Sequence, residues 1–97
     1  MKQTETELRE AVVRIVSEVL VVPPEEVRHD SALVADLGAE SIDFLDLIFR
    51  LEEWLGVRVP VERMDLYLKT RQPALDPTTD ITPNLVLAFA AEVLASA

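Results

Sequence analysis

The sequence predicts an all-α protein, one domain spanning residues 1–97 and folded as a four-helix bundle. Three observations carry that expectation: apolar residues recur at helical three- and four-residue spacing along most of the chain, only two glycines occur, and strand-like alternation is hard to find. Ninety-seven residues suit a single small domain and leave no room for a deep catalytic cleft between lobes.

The first helix is expected near residues 4–21. Thr4 followed by Glu7 has the spacing of a capping box, in which each side chain satisfies a free backbone N–H at the helix start. Leu8, Val12, Ile15, Val16 and Val19 then form one buried stripe, and Pro23 and Pro24 end the run. A long connection follows over residues 23–38, PPEEVRHDSALVADLG. Glu25 and Glu26 after Pro24 resemble an acidic first helical turn. Val27, Leu33, Val34 and Leu37 should be pinned to the core, because that many apolar side chains on a free loop would be costly.

The second helix is expected at 41–55, closed by Gly56 in a left-handed conformation. On a wheel of 100° per residue, Phe44, Leu47, Ile48, Leu51 and Leu55 make a core stripe with Trp54 at its edge, and Asp43, Asp46, Arg50 and Glu53 a polar face. Ile42, Leu45 and Phe49 fit neither. They cluster about 40° to 100° round from Ser41, between Glu52 on one flank and Asp46 and Glu53 on the other. Such a strip either widens the core or is a docking surface whose acids steer a basic partner into place.

The third helix is expected at 61–71, on a stripe of Val61, Met64 and Leu68 with Tyr67 beside it, and with Lys69 and Arg71 in the last turn. Met64 and Tyr67 are most simply core, the alternative being the lining of a tunnel between helices. Pro73 and Pro77 bound a rigid polar loop. Thr82 and Pro83 then restart a fourth helix over 83–95, with Leu85, Phe89, Val93 and Leu94 on its buried face.

Charge and composition exclude several functions. Eighteen acidic residues against nine basic ones give a net charge of −9, which repels nucleic acids and anionic membranes and favours basic protein partners. Without cysteine there is no disulfide, thiolate metal site or cysteine nucleophile, and a cytoplasmic location is expected. The apolar segments are too short and too interrupted by charge to span a bilayer, and no signal peptide is expected. A serine hydrolase would need a base and an oxyanion hole, yet the chain has one histidine, His29, and no G-x-S-x-G elbow. His29 reads as a solvated loop residue beside Asp30, and no metal site is expected, since clustered acids at helical spacing are usually a solvated face.

A serine at a helix start, such as Ser41, is ordinarily an N-cap. Its surroundings say more. The stretch LVADLGAESIDFLDLIFRLEEWLGVRVP resembles the central region of acyl carrier proteins, whose D-L-G-x-D-S-L motif opens an acidic helix that ends at an I-P pair. The likeness covers roughly residues 5–63 and is specific between Asp36 and Pro60. It implies an acyl-carrier-like bundle with no catalysis of its own, cytoplasmic and monomeric, in a fatty acid or specialised lipid pathway. By that resemblance Ser41 would carry a covalent 4′-phosphopantetheine arm, derived from coenzyme A by a phosphopantetheinyl transferase, on which acyl chains ride as thioesters. Gly38 would belong to the motif's leading turn with Asp36 and Leu37. Ile42, Leu45, Asp46, Phe49, Glu52 and Glu53 match positions that the family uses to dock on acyl-transfer and chain-elongation enzymes.

The chemistry is compatible with that placement. Unpaired N–H groups and the dipole at a helix N-terminus suit a phosphodiester, and Gly38 supplies the positive φ that a tight turn often needs. Two departures stand out. Glu40 replaces the aspartate that in the family helps position the transferase's magnesium ion. The connection after the Val59–Pro60 pair is also longer than the family's by roughly a dozen residues. The lengthened third helix and loop, with the DFLD run and Phe49, resemble specialised members handling very long chains for lipid A. Two other readings remain at this stage, an unmodified acidic interaction module and a polyketide or nonribosomal peptide carrier.

Overall fold

The computed structural model describes residues 5–71 and 73–96, and among them the chain is all helical, with no strand. Four helices form, α1 (Glu5–Leu20), α2 (Ser41–Leu55), α3 (Val61–Arg71) and α4 (Pro83–Ala95), with a 3-10 turn at Pro24–Glu26. Their bounds agree with the periodicity to within a residue, and the expected acidic first turn is that 3-10 turn. Thr4, the expected first cap, lies outside the described residues.

Helix α1 packs against both α2 and α4. It buries Leu8, Ala11, Val12, Ile15 and Val16, while Val19 is half-buried. The helix stops before the two prolines. Because the residue preceding a proline is pushed towards extended backbone, Val22 must already have left the helix, and Val21 makes that exit in the left-handed region at φ 55°. Ser17 secures the turn: its hydroxyl donates to the Val22 carbonyl at 2.6 Å and its carbonyl accepts from the Val22 N–H at 3.1 Å.

A β-branched residue at positive φ is strained by about 1–2 kcal/mol, and Val21, 88% exposed, buries little in return. Val21→Gly should relieve the strain, offset in part by glycine's freer unfolded chain. The expected net gain is about 0.5–1 kcal/mol, a melting temperature a few degrees higher by circular dichroism. An unchanged or lower value would show that Val21 is not strained.

The long connection is pinned as expected, with Val27 and Leu33 buried and Val34 and Leu37 packed on the core. In α2 the buried residues are Leu47, Ile48, Leu51 and Leu55, with Phe44 and Trp54 half-buried. Gly56 closes the helix at φ 74°, donating its N–H to the Glu52 carbonyl. Helix α3 leans on α4: Tyr67 meets Phe89 edge-on at 5.2 Å between ring centroids, Arg71 pairs with Glu92, and Arg63 donates to the Ser96 hydroxyl.

One packing expectation needs correction. The buried face of α4 is Val86, Leu87, Phe89, Ala90 and Val93, and Leu85 and Leu94 are only half-buried. That helix is apolar nearly all round, so periodicity had little polar contrast from which to choose a face. The loop bounded by Pro73 and Pro77 is exposed apart from half-buried Leu75, and it leads into a docked turn. The Asp76 N–H donates to Asp80 at 2.9 Å, Asp76 accepts from the Thr78 N–H at 2.9 Å, and Ile81 is buried. Thr82 then caps α4, its hydroxyl accepting from the Leu85 N–H at 3.2 Å, with Pro83 at the first position as anticipated.

Candidate functional site

The approach to α2 is a tight, self-bonded loop. The Asp36 carboxylate accepts the Ala32 N–H at 2.8 Å, the Gly38 N–H donates to Val34 at 3.1 Å, and the Ala39 N–H reaches Leu33 at 2.8 Å. Closing these bonds places Gly38 at φ 76°, a conformation that glycine adopts without Cβ strain. Ala39 is buried just beyond it, which anchors the loop at the point where the helix starts.

Ser41 is not the cap of α2. The N-cap position is Glu40, with extended backbone, and its N–H donates to Asp43 at 2.8 Å. Ser41 is therefore the first helical residue, exposed, and its hydroxyl makes no hydrogen bond to the described residues. The chain has three other serines, and all are committed. The hydroxyl of Ser17 donates to Val22, that of Ser31 accepts from the Arg28 N–H at 3.0 Å, and that of Ser96 is shared with Arg63 and the carbonyl of Glu92. Among the described residues one serine thus has a free hydroxyl, and it sits where a helix dipole favours negative charge.

Beside it opens a cleft of about 670 Å³ between α2 and α3. Ser41 and Glu40 belong to its lining, followed by apolar side chains such as Phe44, Leu47 and Ile48 from α2 and Val61, Met64 and Leu68 from α3. Met64 is buried in the core, as expected, and also lines the cleft. Tyr67 is turned to Phe89 and is absent from that lining.

The strip of Ile42, Leu45 and Phe49 lies at the surface, with exposures of 65%, 38% and 59%. The alternative in which these residues widen the core is overturned. Of the flanking acids, Asp46 is paired with Arg50 at 3.1 Å, and Arg50 also reaches Glu18 at 3.3 Å. Glu52 accepts the Val59 N–H at 2.7 Å, so its carboxylate ties the end of α2 to the segment leading into α3. The Glu53 side chain is exposed and makes no hydrogen bond or ion pair to the described residues. Glu52→Ala should consequently lower stability by about 1–2 kcal/mol in chemical denaturation, whereas Glu53→Ala should change it by less than about 0.5 kcal/mol. Equal effects would mean that the bond to Val59 contributes nothing.

Sequence reasoning missed three residues here. Leu66 on α3 is 65% exposed, and Asp65 and Pro77 line the cleft. Leu66 lies off the helical stripe and was detectable as an unassigned leucine; the sequence marked Pro77 as a loop boundary but not as part of the cleft. His29 is exposed as expected, its ring 3.4 Å from Arg9 and its carbonyl accepting from the Asn84 N–H. No group of three or more potential metal ligands occurs among the described residues, and no helix there is long and apolar enough to cross a membrane.

Comparison with known proteins adds independent findings. A family model described as phosphopantetheine attachment site matches residues 10–70. An acyl carrier protein of Thermosynechococcus vestitus is 42% identical over 72 residues, covering 74% of this chain and 88% of that protein. One from Campylobacter hominis is 43% identical over 54 residues, 56% of this chain and 68% of that protein.

Proposed function

The chain belongs to the acyl carrier protein family, a family of carriers rather than catalysts, and on that premise we propose that it holds acyl groups on a 4′-phosphopantetheine arm attached to Ser41. One observation carries the assignment to that residue: among four serines, Ser41 alone has an exposed hydroxyl with no hydrogen bond to the described residues, at the first position of a helix and in the lining of an apolar cleft.

These residues suit the group. The α2 N-terminus offers backbone N–H donors and a favourable dipole to a phosphodiester, and the Gly38 turn presents Ser41 from a rigid base. In the modification, a bond forms from the Ser41 Oγ to phosphorus as the pyrophosphate bond of coenzyme A breaks. Adenosine 3′,5′-bisphosphate leaves and the hydroxyl proton passes to a base of the transferase. The arm supplies a terminal thiol to which acyl groups are bound as thioesters. The chain's own part is to hold the arm, shelter the acyl chain in the cleft, and present it through Ile42, Leu45 and Phe49, with Asp46, Glu52 and Glu53 alongside. Asp46 and Glu52 have intramolecular partners but stay at the surface, so Glu53 is the acid most available to a basic docking face.

The setting is a monomeric carrier working in the cytoplasm with a transferase and with acyl-transfer and chain-elongation enzymes of a fatty acid or specialised lipid pathway. A net charge of −9 supports basic enzyme surfaces as its partners. The protein incubated with coenzyme A, magnesium and a broad-specificity phosphopantetheinyl transferase should gain the mass of one phosphopantetheine. No gain would identify an unmodified interaction module instead, with Glu40 as the first residue to revert to aspartate.

A further inference from the structure

We propose that the connection between α3 and α4, residues 73–82, is the wall that sets how long an acyl chain the cleft can enclose, with Pro77 as the limiting residue. The proposal rests on Ser41 being the carrier serine. The cleft draws its lining from three places: α2, α3, and this connection, which contributes Pro77 and Ile81. Ile81 is buried and its carbonyl accepts the Leu33 N–H at 2.9 Å. The Thr78 carbonyl accepts the Ala35 N–H at 3.1 Å. The wall is therefore bonded to the same loop that delivers Ser41.

Within the wall, Pro77 occupies a turn closed by the bonds between Asp76, Thr78 and Asp80. Its ring brings apolar surface and no N–H donor, and its φ is locked, so it gives the cleft a stiff hydrocarbon edge. The occupant that suits this space is an uncharged, unbranched hydrocarbon chain. The ionisable side chains lining the cleft are Glu40 and Asp65, both carboxylates, which disfavour an acyl group ending in a carboxylate.

The test loads wild type, Pro77→Ala and Asp76→Ala with saturated acyl-phosphopantetheine groups of increasing length, using the transferase and acyl-coenzyme A. Loading is verified by mass, and the readout is the rate at which hydroxylamine cleaves the thioester. In wild type, cleavage should slow with length by at most about fourfold per added methylene, then level off when the cleft is full. Pro77→Ala removes two ring carbons and should move that plateau to chains longer by about two methylenes, with the apo protein melting within a few degrees of wild type. Asp76→Ala loosens the turn and should bring the protection of long chains back towards the short-chain value. Identical plateaus in all three proteins would overturn the wall, as would a wild-type rate independent of chain length. Failure of the wild type to load at all is a different result: it removes the assignment of Ser41 itself, and the wall with it.

Discussion

Ser41→Ala yields a folded helical protein that gains no phosphopantetheine from coenzyme A. Both halves follow from the start of α2. The capping bond runs from the Glu40 N–H to Asp43 and does not involve the serine, whose side chain is exposed and unpaired among the described residues. Alanine at a first helical position is a good helix former, so stability should change by less than about 0.5 kcal/mol. Loss of modification should be complete, because the three other hydroxyls of this type are held in hydrogen bonds. Intact mass and a thermal melt read both outcomes. A variant that gains the group as wild type does would remove Ser41 as the site, and one that melts many degrees lower would return the hydroxyl to a structural role.

The second large effect separates two neighbours on one helix. Leu51 is 0% exposed and Phe49 is 59% exposed, although both are large, apolar and two positions apart. Leu51→Ala should cost about 2–5 kcal/mol and lower the melting temperature by roughly ten degrees or more. Phe49→Ala should leave the melt within about 0.5 kcal/mol of wild type, yet slow acyl transfer to a docking enzyme by about tenfold or more at subsaturating carrier. A melt for Phe49→Ala as low as that for Leu51→Ala would make Phe49 a core residue. An unchanged transfer rate would remove it from the docking face.

The contrast also shows where the sequence was legible. Helices with a polar and an apolar side declared both, so the wheel of α2 separated Leu51 from Phe49, and Gly38 and Gly56 were readable because each has a positive φ that the turn requires. Helix α4 offered little polar contrast, and its face was misplaced towards Leu85 and Leu94. Glu52 was grouped with the docking acids because helix geometry cannot register a bond to the backbone seven residues away at Val59. A serine at a helix start ordinarily reads as its cap, and that preference for short polar side chains hid the Glu40 and Asp43 pair. The Pro77 wall depends on main-chain bonds from Leu33 and Ala35 to residues more than forty positions distant, and local patterns carry no trace of such pairings.

The most direct test of Ser41 as the tether is site localisation on the modified protein. After reaction with coenzyme A and the transferase, cleavage after Arg28 and Arg50 releases residues 29–50, which hold both Ser31 and Ser41. Fragmentation of that peptide by mass spectrometry should find phosphopantetheine on Ser41 and none on Ser31, which is buried and bonded to Arg28. The group on any other residue, or on none, would contradict it.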